Sequence, residues 1–119
     1  MRKFILISLA AVAVAPAAPA LAHAKVVSSN PAANATIAAP AKVSVTFNEK
    51  LVPAFSKIEI SMTGMDMKVP VKTSVSTDGK TITAVPQGKF MKGGYVINWS
   101  AAAADDGHHT AGSIPFKIK

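Results

Sequence analysis

At 119 residues the chain has room for one domain at most. Its formal charge of +7 comes from 13 basic and 6 acidic residues, but the lysines are scattered with no aromatic interleaving, which argues against nucleic acid as a partner. There is no cysteine, so a disulfide framework is excluded and any metal site must use nitrogen, oxygen or thioether donors.

The first element reads as a leader. Arg2 and Lys3 precede an apolar run from Phe4 to Val14 interrupted only by Ser8, and Ala20 and Ala22 stand in an A-x-A arrangement. This is the layout of a secretory signal peptide over residues 1–22, too short for a membrane span. "AHA" at 22–24 offers a second site, and cleavage after Ala24 would discard His23. Cleavage after Ala22 leaves 97 residues, 23–119, carrying 11 basic and 6 acidic side chains. That suffices for one modest core. No second apolar run follows, so no transmembrane segment is expected in the mature chain.

The rest reads as strands. "KVVSS" (25–29) comes first, then "KVSVTFN" (42–48), where Val43, Val45 and Phe47 share one face. "KIEISM" (57–62) alternates in the same way. "KVPVKTSV" (68–75), "KTITAVP" (80–86), "YVINWSA" (95–101) and "SIPFKIK" (113–119) complete seven candidates. Turn signals fall at Asn30-Pro31, Ala39-Pro40, Asp78-Gly79 and Gly93-Gly94. Asp78-Gly79 marks the clearest hairpin. Pro115 cannot donate to a ladder, which places the last strand at an edge or a bulge. Tyr95, Ile97 and Trp99 share a face at strand period and read as core. Short alternating strands with regular turns predict an all-β sandwich or barrel of about seven strands.

The chain has three histidines: His23 near the start, His108 and His109 in "DDGHHTAG". In an extended backbone Asp106 and His108 would point to one face, about 6.5–7 Å apart at Cα, and His109 would point away. From this motif alone a plain polar turn between the last two strands is the better reading. If His23 begins the mature chain, its α-amine and imidazole Nδ1 close one chelate ring. With Asp106 and His108 that makes a tetragonal N,O donor set of the kind Cu(II) prefers. A frayed terminal residue is the alternative. A third cluster holds Met62, Met65 and Met67, with Met91 further on. Thioethers favour Cu(I), although Met62 also continues the inward face of its strand.

In this order the motifs resemble the CopC copper-resistance family of the bacterial periplasm. The likeness runs through "HAKVVSSNPAANA", "APAKVSVTFNEKL", "FSKIEISMTGM", "DGKTITAVPQGKFMKGGYVINWSA" and "DGHHTAGSIPFKIK". It implies an immunoglobulin-like Greek-key β-sandwich and a Cu(II) site of His23, Asp106 and His108. It also implies a carboxylate after "F-x-E", here Glu49. Two departures stand out. The methionine loop is short and lacks a histidine, and His109 follows the D-x-H histidine where the family commonly has proline; His109 either replaces His108 as ligand or simply faces solvent.

The expected role is a periplasmic protein, not an enzyme, that captures, stores or delivers Cu(II). A membrane copper transporter or another copper carrier is the expected partner. Two other classes remain open. One is a copper-dependent oxidative enzyme, since an N-terminal histidine chelate also resembles lytic polysaccharide monooxygenases. The other is a metal-free immunoglobulin-like interaction module.

Overall fold

The computed structural model describes residues 24–119; the expected signal peptide, the cleavage point after Ala22 and His23 lie outside the described residues. The strands in chain order are β1 (Val26–Asn30), β2 (Thr36–Ile37), β3 (Val43–Phe47), β4 (Lys57–Met62) and β5 (Lys68–Val69). They continue as β6 (Val71–Val75), β7 (Thr81–Pro86), β8 (Gly93–Ala102) and β9 (His109–Ile118). They form two sheets, β1-β3-β7-β6 and β2-β9-β8-β4-β5. The pairings are antiparallel apart from β2 on β9.

Alternation builds the core as expected. Val43, Val45 and Phe47 from one sheet meet Ile58, Ile60, Tyr95, Ile97 and Phe116 from the other, all buried. Polar neighbours between them face out, because successive side chains on a strand point to opposite faces. The fold is the expected all-β sandwich, with nine strands among the described residues where about seven were expected; β2 has no counterpart among the candidates, and three further local departures occur.

"KVPVKTSV" is two strands, not one. β5 pairs with β4 in one sheet, and β6 pairs with β7 in the other. The crossing falls at Pro70, which has no N–H for either ladder. Gly93 and Gly94 open β8 instead of making a turn. The Gly94 carbonyl accepts from the Thr63 N–H at 2.9 Å, and a Cβ on Gly94 would stand 3.2 Å from Thr63 Oγ1. The last strand begins at His109, four residues before the expected start at Ser113.

Two expectations hold in detail. Gly79 has φ +76 and closes the β6–β7 hairpin, with the Lys80 N–H donating to Asp78 Oδ1 at 3.0 Å. Pro115 sits at a stretch of β9 that has no ladder partner on its outer side, since β2 pairs only with Lys117 and Ile118. Its carbonyl accepts from Asn34 N–H at 2.7 Å, so its missing N–H also falls on the side away from β8.

Trp99 is half-buried and packs edge-on against Phe47, ring centroids 5.0 Å apart. Directly opposite stands Gly112. A Cβ there would meet Trp99 Cζ2 at 2.6 Å, closer than real contacts allow. Gly112→Ala is therefore expected to destabilise the fold by about 1–3 kcal/mol, the usual range for overpacking. Urea unfolding followed by tryptophan fluorescence reads this directly. An unchanged midpoint means that the indole moves aside freely.

Candidate metal centre

Three segments meet at one end of the sandwich: the chain entrance at Ala24–Lys25, residues 48–52 after β3, and the loop 103–108 between β8 and β9. Ala24 is 3% exposed and packs with the core. Its carbonyl accepts from the Thr110 hydroxyl at 3.2 Å. The Lys25 N–H donates to Asn48 Oδ1 at 2.8 Å, and the Asn48 N–H donates back to the Lys25 carbonyl at 3.0 Å. The second segment is tied to the third through the Leu51–Ala103 bridge and an Ala104 N–H to Lys50 carbonyl bond of 2.8 Å.

Asp106 and His108 do come together, but not on an extended strand. The loop is a turn closed by the Gly107 N–H on the Ala103 carbonyl at 2.9 Å, with Gly107 at φ +72. Asp106 Oδ1 accepts from the His108 backbone N–H at 2.9 Å, and Asp106 Oδ2 lies 3.3 Å from His108 Nδ1. The reason is local: an aspartate readily bonds its own backbone two residues on, and glycine between them admits the left-handed φ. The expected neighbours are thus gathered by a turn rather than by the strand period. The His108 N–H holds the Asp106 carboxyl below the usual carboxylate range, and the nearby imidazole adds to this. His109 goes elsewhere. It opens β9 opposite Ala102, and its ring meets the exposed Phe55 edge-on at 6.0 Å.

Glu49 tests whether this end suits a cation. Its Oε2 is shielded from solvent and has no hydrogen-bond partner among the described residues. A buried carboxylate oxygen left bare is costly, and a bound cation would remove that cost. Among the described residues no three His, Cys, Asp or Glu side chains form a ready-made metal cluster. Two donors plus an unsatisfied oxygen form an incomplete set.

The methionines divide. Met62, Met67 and Met91 line a cleft of about 150 Å³ together with Val69 and Tyr95. Met65 is not among its lining residues; it sits in the turn beside Gly64, 55% exposed. The cleft touches β8 at Tyr95, seven residues before Ala102 at the histidine end. At about 3.3 Å per residue the two ends lie roughly 23 Å apart along that strand.

The model of the CopC domain matches residues 26–119. The chain belongs to the CopC family. Copper resistance protein C of Xanthomonas campestris pv. juglandis is 41% identical, over 86% of this chain and 84% of that one. Copper transport protein CutJ of Bacillus subtilis (strain 168) is 36% identical over 82% of this chain but only 18% of its own length. Among solved structures, PcoC of Escherichia coli, described as a methionine-rich copper resistance protein, superposes with a TM-score of 0.73. It is 33% identical and covers 82% of this chain and 99% of its own. Within this CopC-family fold, the sequence motifs did not single out Ala24, Asn48, Phe55 or Thr110. Their roles come from contacts between segments 23 to 86 residues apart, and short-range spacing carries no signal for those.

Proposed function

We propose that this CopC-family protein binds copper, and that it captures, stores or hands on Cu(II) in the periplasm after removal of residues 1–22. The observation that carries the reading is the Asp106–His108 pair on a loop tied to the segment of Glu49, whose Oε2 is unsatisfied, by the Leu51–Ala103 bridge and the Ala104–Lys50 bond. A residue bonded to Ala24 has its Cα about 3.8 Å away. His23 as first residue would bring an amine and an imidazole to that end, completing a four-donor N,O set suited to Cu(II). The burial of Ala24 in the core supports cleavage after Ala22 over cleavage after Ala24. Copper resistance proteins among the relatives support the metal. CutJ, a copper transport protein with a homologous portion, supports a membrane copper transporter as recipient.

A carrier fits better than an oxidative enzyme of polysaccharides. Such an enzyme needs a broad surface of exposed aromatics to hold sugar, whereas Phe47, Tyr95 and Phe116 are buried and Phe55 is the single exposed aromatic among the described residues. Titration with Cu(II), followed by visible absorption, tests the reading: one equivalent should bind per chain. No spectral change would leave a metal-free interaction module.

Acid should weaken the complex. Imidazole and amine donors bind metal only when deprotonated, and such groups ordinarily hold their proton below about 6.5 and about 7.7–8.0 respectively. The Asp106 carboxyl, already held low by the His108 N–H, stays ionised through this window. Affinity therefore falls as pH drops from 8 to 5, by up to about tenfold per displaced proton per unit. Competition titrations across that range measure it, and a flat profile contradicts nitrogen ligation.

The methionine cleft gives a second, weaker site for Cu(I), with soft donors and no histidine; Lys68 and Lys89 also line it. Met67→Leu or Met91→Leu should weaken Cu(I) binding by about tenfold or more, and Met65→Leu far less. If a Cu(I) chelator competes equally with all three variants, these side chains only pack.

A further inference from the structure

We propose that Asn48 and Thr110 are positioning residues: they clamp the entering chain so that the residue before Ala24 is delivered to copper. The inference rests on the copper site proposed above and adds two residues that need not touch the metal.

The clamp grips from both sheets. Asn48 directly follows β3, next to Glu49, and Thr110 lies in β9, two residues after His108. Asn48 holds Lys25 twice, by its side-chain Oδ1 on the Lys25 N–H at 2.8 Å and by its own N–H on the Lys25 carbonyl at 3.0 Å. Thr110 holds the residue before, its hydroxyl donating to the Ala24 carbonyl at 3.2 Å. Neither side chain is needed for the ladders. The β8–β9 register pairs Thr110 with Ala101 through the backbone alone, and the Asn48 amide lies past the end of β3. Ala24, pressed into the core, closes the remaining side.

The physical consequence concerns entropy. A chain terminus ordinarily frays, and a ligand on it would have to be ordered at the moment of binding. Ordering one residue's backbone lowers an equilibrium constant by about 5- to 30-fold. Fixing Ala24 and Lys25 beforehand removes much of that loss for the neighbouring residue.

A double-mutant cycle on the mature protein tests this. Cu(II) affinity is measured by competition, with electron paramagnetic resonance on each complex, for Thr110→Val, Thr110→Ser and Asn48→Ala. Each variant is made with His23 present and with His23→Ala. The expected result is a 5- to 30-fold loss and an altered resonance spectrum for Thr110→Val and for Asn48→Ala. Thr110→Ser should stay near the parent, because it keeps the hydroxyl. In the His23→Ala background the losses for Thr110→Val and Asn48→Ala should be clearly smaller, since the imidazole is gone and only the α-amine of residue 23 remains to be positioned. A loss of the same size in both backgrounds overturns the clamp, because a general defect of the fold acts on both alike. No loss in either background overturns it too. His23→Ala binding as tightly as the parent overturns the copper site itself, and the clamp with it.

Discussion

His108→Ala lowers Cu(II) affinity by more than about 100-fold, while His109→Ala changes it by about twofold or less. The first magnitude follows because residues that merely orient a ligand already contribute about 10- to 100-fold, so a direct donor contributes more. The second is the ordinary scale of an exposed substitution. The two histidines are adjacent in sequence, and position alone does not separate them. Their environments do. His108 Nδ1 lies 3.3 Å from Asp106 Oδ2 on the loop before β9, whereas His109 opens β9 with its ring on Phe55. Isothermal titration or chelator competition on the two variants decides between them. Equal losses, or a larger loss at His109, overturn the assignment.

A protein starting at His23 binds Cu(II) at least about 100-fold more tightly than one with a single glycine added in front, and the two complexes differ in visible spectrum. The added residue converts the His23 amine into an amide, which is a poor donor while it keeps its proton. The chelate ring of amine and imidazole is lost, a change at least as large as disturbing a ligand's support. The folded domain should be indifferent to the glycine, because the grip on the chain begins at Ala24 and Lys25. Equal melting temperatures with unequal copper affinity are therefore expected. Identical affinity and spectrum in both proteins rule out the terminal amine as a ligand. If the expected difference appears, export itself creates the site, since the precursor carries residues 1–22 ahead of His23.

Much of this architecture was legible from periodicity. The inward rows Val43-Val45-Phe47 and Ile58-Ile60 lie where alternation places them, because a strand that buries one face must repeat every two residues. The Asp78-Gly79 turn and the edge position of Pro115 follow from backbone chemistry that belongs to those residues wherever they occur. What periodicity misjudged were breaks in pairing. It joined β5 to β6 across Pro70, and it took Gly93-Gly94 for a turn. A proline or a glycine pair marks a special backbone without stating which neighbour it meets.

At the candidate site the sequence alone determined which donors exist: three histidines, a D-x-H pair, a carboxylate at Glu49, four methionines outside the leader and no thiol. Donor type restricts the metal, and donor type is written in the side chains. Only the tertiary structure decided which of them meet. It gathered Asp106 and His108 by a turn, turned His109 onto Phe55, left Glu49 Oε2 bare, and drew Met62, Met67 and Met91 to one cleft without Met65. It also brought Asn48 and Thr110 to the chain entrance, 23 and 86 residues from their partners. The physical reason is that local chemistry sets backbone preference over a few residues. A site made of distant segments is set by how two sheets register on a shared core, and that register is a property of the whole packing.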